Sequence, residues 1–177
     1  MAILRIPKKG RTINHADQIK DFLSSRGIFF DQWKAEQAVA LEASQEEILN
    51  AYDPQLRPFM LAGGYTVADV INVHAHTENL LALRKKFLSE HTHTEDEIRF
   101  FVQGEGLFWF NLAQEDVFNV LCQAGDLISV PKNTKHWFDL GPKPSVKVIR
   151  IFIDPAGWVP HYTGSKIDLS FNPVYEA

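Results

Sequence analysis

The sequence predicts an α+β chain in which helices come first and an antiparallel β-barrel or sandwich follows. Three observations carry that reading. Apolar residues before position 86 recur mainly at helical spacing, whereas from 87 onward short apolar segments alternate with Gly, Pro, Asn and Asp breaks. Short strands at such spacing indicate a sandwich or barrel. The chain has 177 residues, 45% of them hydrophobic, enough for one domain with a substantial core. We therefore expect a single domain over 1–177, with a mainly helical part at 1–86, a barrel core at 87–160 and a tail at 161–177.

Taken in order, residues 2–6 read as an opening strand that Pro7-Lys8-Lys9-Gly10 ends. Ile19, Phe22 and Leu23 give 17–26 helical spacing, and Gly27 supplies a C-terminal stop. Ile28, Phe29, Phe30 and Trp33 form an apolar cluster, assigned to a lid where the N-terminal part packs on the barrel. Ser44-Gln45-Glu46-Glu47 is a capping box opening a helix through Ile48, Leu49 and Tyr52. Pro54 follows Asp53 and starts a further turn, with 56–61 helical again before Gly63-Gly64. Residues 67–73 are ambiguous between strand and helix, and 78–86 read as a helix. Strands are expected at 87–93, 96–103, 106–111, 117–122, 127–130, 136–139 and 146–153.

Composition excludes several function classes. A net charge of −4 with scattered basic residues argues against a nucleic-acid partner. The N-terminus lacks the apolar core of a signal peptide, and no apolar run spans a bilayer. The single cysteine, Cys122, permits no internal disulfide and is read as a buried strand residue. A cytoplasmic protein is expected, and a monomer is compatible with the absence of a heptad pattern.

Chemistry concentrates in His91-Thr92-His93-Thr94-Glu95-Asp96-Glu97-Ile98-Arg99. On a strand, positions 91, 93, 97 and 99 project from one face, so two imidazoles, a carboxylate and a guanidinium converge while Phe100 and Val102 turn toward packing. Imidazole and carboxylate suit Fe, Ni, Mn, Co or Zn. A solvated polar turn fits the same letters. His74 and His76 form a second His-x-His pair, but Leu80 stands where an acidic partner would be needed, so no site is assigned there. In the last strand Arg150 shares a face with Val148 and Phe152; such an arginine meets an anion or reaches water. Trp158 either packs on the surface or covers the barrel mouth.

Two motifs sharpen the picture. His91, His93, Glu97 and Gly104 fit H-x-H-x(3)-E-x(6)-G, and Gly125, Pro131 and His136 fit G-x(5)-P-x-G-x(2)-H, with Asn133 replacing a glycine. Asn tolerates the left-handed turn that this glycine serves. Together they resemble the cupin motifs. Longer runs resemble the acireductone dioxygenase family: Phe87-x-x-Glu90-His91-x-His93-x-x-Asp96-Glu97-Ile98-Arg99-Phe100, Gly125 to Pro131 with His136-Trp137-Phe138-Asp139, Ile149-Arg150-Ile151-Phe152 with Pro155-x-Gly157-Trp158, and Gly63-Gly64-Tyr65 with Ala68-Asp69-Val70.

The resemblance implies a cupin-type antiparallel β-barrel, a double-stranded β-helix with the N-terminal helices packed outside. It implies one Fe(II) or Ni(II) ion per chain, held by His91, His93, Glu97 and His136 with two cis positions left for water. Arg99, Arg150, Phe87, Phe138 and Trp158 correspond to residues near the substrate, and Asp96, out of parity, to one orienting a ligand or its neighbour. The implied reaction is cleavage of the acireductone 1,2-dihydroxy-3-keto-5-methylthiopentene by dioxygen in methionine salvage. Another cupin enzyme, such as a sugar or keto-acid isomerase, and a non-catalytic ligand-binding cupin are the alternatives.

Overall fold

One long strand, Glu97–Phe110, organises the chain. In the computed structural model, which describes residues 1–35 and 39–171, it is the sixth of eleven strands. In chain order the elements are β1 (Ile3–Ile6), β2 (Arg11–Ile13), α1 (Ala16–Ser24), β3 (Phe29–Gln32), α2 (Gln45–Gly63), β4 (Val67–Val73), α3 (Leu80–Leu88) and β5 (His91–Thr92). Then come β6 (Glu97–Phe110), β7 (Phe118–Gln123), β8 (Asp126–Val130), β9 (His136–Asp139), β10 (Val146–Phe152) and β11 (His161–Tyr162). Residues 172–177 of the expected tail lie outside the described residues.

The first half of β6 pairs with β8 and β10, which pair in turn with β3 and β4; its second half pairs with β7 and β9. β7 continues to β1 and β2, and β9 to β5 and β11. All these pairings are antiparallel. The result is two sheets sharing one strand around a common core, a cupin-like arrangement that does not close into a complete barrel. The switch falls at Gly104, whose φ of +75° is left-handed, beside a register shift between Lys147 and Val148. Glycine and a bulge are what a strand needs to turn a corner between sheets. The break at Gly104 and Gly106 is why two strands were expected at 96–103 and 106–111 where one exists.

The inward faces meet in a core of Phe30, Phe101, Phe108, Phe110, Phe118, Val120, Ile128, Phe138 and Val148. Ile98, Phe100, Leu127, Ile149 and Ile151 point outward, under Ile48, Tyr52 and Leu56 of α2. The capping box is formed, Ser44 accepting from Glu47 N and Glu47 accepting from Ser44 N. α2 continues through Pro54 and Pro58, contrary to the expected interruption. An internal proline costs a helix about 3 kcal/mol, and the buried stripe of residues 48, 52 and 56 at a spacing of four offsets it.

Other segments also differ from expectation. β3 is hydrogen-bonded to β8 and is part of a sheet rather than a lid. Residues 67–73 are a strand, because β10 offers them a full register of partners. Phe87 belongs to α3, and the expected strand 87–93 shrinks to His91–Thr92. Among the described residues no helix is long and apolar enough to cross a membrane.

A Cβ at Gly104 would overlap the Ser145 carbonyl oxygen, and the left-handed backbone adds strain. Gly104→Ala should therefore lower unfolding stability by about 3 kcal/mol or more, read as a drop in denaturant midpoint; an unchanged midpoint would show that the corner does not need glycine.

Candidate metal centre

Three strand ends bring the site together. His91 lies on β5, directly opposite His136 on β9, and His136 in turn faces Phe110 at the end of β6. His93 follows β5, and Glu97 begins β6 on the same inward face as Arg99. The connection between them is pinned from two sides. Asn133, at a φ of 63°, donates its backbone N–H to the His93 carbonyl at 2.9 Å. Asp96 accepts from Lys132 N at 2.9 Å and from the Tyr65 hydroxyl at 2.7 Å, while its own carbonyl accepts from Trp158 Nε1 at 3.2 Å. Burial and the Asp96 hydrogen bond push the Tyr65 hydroxyl well above its ordinary range, so it stays a donor.

All three imidazoles are buried. Each Nδ1 lies against a backbone carbonyl: His91 with Ser89 at 2.7 Å, His93 with Val159 at 3.2 Å, His136 with Thr134 at 2.8 Å. Carbonyls only accept, so Nδ1 carries the proton and the Nε2 lone pairs are left for the centre. One ligand atom from each ring lies within 4.8 Å of the others. Among the described residues, Nε2 of His91 and of His93 has no hydrogen-bond partner. His136 Nε2 sits 2.8 Å from Glu97 Oε2. A neutral imidazole donates from one nitrogen only, so this second contact calls for a cation between ring and carboxylate, a proton or a metal ion. Bare buried lone pairs and that contact together fit a metal ion.

Glu97 supplies the negative charge. Burial alone would raise its carboxyl, but the Arg99 guanidinium and the nearby imidazoles of His136 and His93 hold it well below the usual carboxylate range. Arg99 binds Oε1 through Nε at 2.8 Å and Nη2 at 2.6 Å, leaving Oε2 toward the imidazoles. Oε2 is 3.6 Å from His93 Nε2. Burial, then repulsion from His136, lowers His91 to about 4, so it is an unprotonated donor at neutral pH.

Beyond Arg99 opens a cavity of about 240 Å³, walled by Ile71, Val73, Leu83, Phe87, Val148 and Trp158, with Arg99, Arg150 and Lys86 as its charged lining. The Arg99 guanidinium is boxed by aromatic rings, 4.6 Å from Phe138 and 5.6 Å from Phe87 and from Trp158. Phe138 is buried against Phe108 at 4.6 Å and supports Arg99 from beneath rather than lining the cavity. Arg150 meets an anion, as one of its two readings required: Asp69 on β4. His74 and His76 sit in an exposed turn, and His161 on exposed β11.

Sequence reasoning missed three carboxylate contacts. Asp69 and Arg150 become neighbours only when β4 pairs with β10. Tyr65 reaches Asp96 from the end of α2. Glu90 is buried beside His91 and accepts from Asn111, Thr163 and Ser165, tying β5 to the segment after β11. Only its alternation with the histidines, out of parity in a polar stretch, hinted at a separate role.

Residues 7–160 match the family model described as ARD/ARD′. Acireductone dioxygenase of Picosynechococcus sp. is 56% identical over 174 residues, 98% of this chain and 99% of that protein. The acireductone dioxygenase of Gluconobacter oxydans is 49% identical over 150 residues, 85% of this chain and 79% of that protein. A solved acireductone dioxygenase from Bacillus anthracis, with a cadmium ion in its active centre, superposes with a TM-score of 0.82 at 34% identity, covering 92% of this chain and 98% of that one.

His91 takes up its proton near pH 4 when folded and near 6.5 when unfolded. The stability of the metal-free protein should therefore fall as pH drops from 6.5 to 4, by about 3 kcal/mol from this residue. Denaturant midpoints across that range, compared with His91→Asn, should show a shallower slope in the variant; parallel slopes would contradict the assignment.

Proposed function

This chain belongs to the ARD/ARD′ family, and from that membership we propose that one Fe(II) or Ni(II) ion per chain, held by His91, His93, Glu97 and His136, serves its dioxygenase reaction. The reaction is the cleavage of an acireductone by dioxygen. Its substrate on this reading is 1,2-dihydroxy-3-keto-5-methylthiopentene, in methionine salvage. The observation that carries the proposal is the convergence of three buried Nε2 atoms, two of them without a hydrogen-bond partner among the described residues, on a charged carboxylate at the edge of an apolar cavity with two arginines.

A bound divalent ion supplies Lewis acidity and a template for the two enediol oxygens. The chain's own residues do the rest. Arg99 and Arg150 place positive charge in the cavity wall, which favours the enediolate, the form that gives electrons to dioxygen. Phe87 and Trp158 offer rings to the polarizable methylthio tail, and Ile71, Val73 and Val148 keep water from it. Phe138 holds the Arg99 guanidinium in place from below. Asp96 fixes the segment between His93 and Glu97 through Lys132 N and Tyr65.

With Fe(II) the products on this reading are formate and 4-methylthio-2-oxobutanoate; with Ni(II) they are methylthiopropanoate, formate and carbon monoxide. The donors are the same for either ion, so the outcome follows the ion and not the sequence. Equal availability favours nickel.

Metal-free protein reloaded anaerobically with Fe(II) or Ni(II) and given the acireductone and dioxygen should consume oxygen and yield the two product sets respectively. Failure of both loaded forms to turn over the acireductone would overturn the reading.

Glu97→Ala removes one of four donors and their only charge. Metal content by elemental analysis should fall far below one ion per chain, and full retention would remove Glu97 from the ligand set. Arg99→Ala frees Glu97 Oε1 and should weaken metal binding about 10- to 100-fold, with turnover lost even at saturating metal. Unchanged kinetics would remove Arg99 from the mechanism.

A further inference from the structure

We infer that Asp69 is a positioning residue for the dioxygenase reaction: it grips one edge of the Arg150 guanidinium so that Nη1 remains as a donor for the enediolate oxygens. The inference rests on reading the cavity as the acireductone site.

Asp69, Arg150 and Arg99 stand in one row across β4, β10 and β6, each directly opposite the next. Two arginines in register repel one another. Each is countered by a carboxylate, and in the same way. Glu97 takes Nε and Nη2 of Arg99. Asp69 takes Nε of Arg150 at 2.8 Å with Oδ1, and Nη2 with Oδ2. In both cases the same two nitrogens are engaged, and Nη1 has no protein acceptor among the described residues. Both arginines line the same cavity, with the Trp158 ring 5.6 Å from the Arg99 guanidinium and 5.4 Å from that of Arg150. A two-point grip of this kind fixes the plane of a guanidinium as a single contact does not.

Asp69 also carries a negative charge that opposes an anionic substrate. The pair is about one quarter exposed, 27% for Arg150 and 28% for Asp69, so solvent screens that opposition. Orientation outweighs it, and removing the carboxylate should weaken substrate binding rather than strengthen it.

The test is steady-state kinetics on metal-loaded wild type, Asp69→Asn, Asp69→Glu, Arg150→Ala and the double variant Asp69→Asn/Arg150→Ala. Asp69→Asn should raise KM for the acireductone about tenfold, the scale of a misplaced binding group, with metal content unchanged and kcat reduced much less. Asp69→Glu should recover part of the loss. In the Arg150→Ala background, Asp69→Asn should add nothing, because its effect passes through Arg150. A lower KM in Asp69→Asn, or a full additional loss in the double variant, overturns the inference. Calorimetric titration with ascorbate under argon, a stable enediolate, separates this from failure of the functional reading. If wild type does not turn over the acireductone yet binds ascorbate more tightly than Asp69→Asn, the positioning role stands and the substrate assignment falls. If wild type neither turns over the acireductone nor binds ascorbate, both fall.

Discussion

Everything at the site depends on three buried imidazoles that commit Nδ1 to backbone carbonyls. A ring held in that way has one lone pair left, and inside a protein an unpartnered polar atom is costly. Ser89, Val159 and Thr134 decide which nitrogen that is, and the strand pairing of His91 with His136 decides where it points. Such a cluster is stable chiefly as a receptor for a cation. The surrounding hydrogen bonds from the Asn133 N–H to the His93 carbonyl and from the Lys132 N–H to the Asp96 carboxylate hold the two imidazole-bearing segments together.

On the proposed reading, the start of β6 couples the metal donors to the substrate cavity. Glu97 faces the imidazoles with one oxygen and Arg99 with the other, so one carboxylate meets both the imidazole cluster and a cation of the cavity wall. Arg99 is in turn fenced by Phe87, Phe138 and Trp158, rings from a helix, a strand and a short 3-10 turn. β6 is long enough to serve both sheets, and its corner at Gly104 lets its first half carry the chemistry while its second half builds the core. Position along one strand thus sorts reactive residues from structural ones.

Local features were legible in the sequence to the extent that their causes are local. The capping box at Ser44 and Glu47, the stop at Gly27 and the left-handed Asn133 all appear where their side-chain chemistry requires them. The period of two placed His91, His93, Glu97 and Arg99 toward one space, and Phe100 away from it. What escaped depends on neighbours distant in sequence. Gly104 reads as a break because nothing nearby reveals that β8, β10, β7 and β9 continue the pairing on either side of it. Pro54 reads as a helix end because the sheet face under Tyr52 and Leu56 is not local. Phe87 reaches Arg99 from α3 and not from the strand expected at 87–93, because the helix end packs over the cavity. Asp69 became visible only once β4 lay beside β10, and His136 entered through a motif resemblance rather than through its own surroundings.

The central claim is that one divalent ion is held by Nε2 of His91, His93 and His136 together with Oε2 of Glu97. Anomalous diffraction at the iron or nickel edge from a crystal of the loaded protein tests it most directly. The account predicts a single peak per chain within bonding distance of those four atoms. A peak elsewhere, or an ion bound through the Nδ1 atoms with their carbonyl contacts broken, would contradict it.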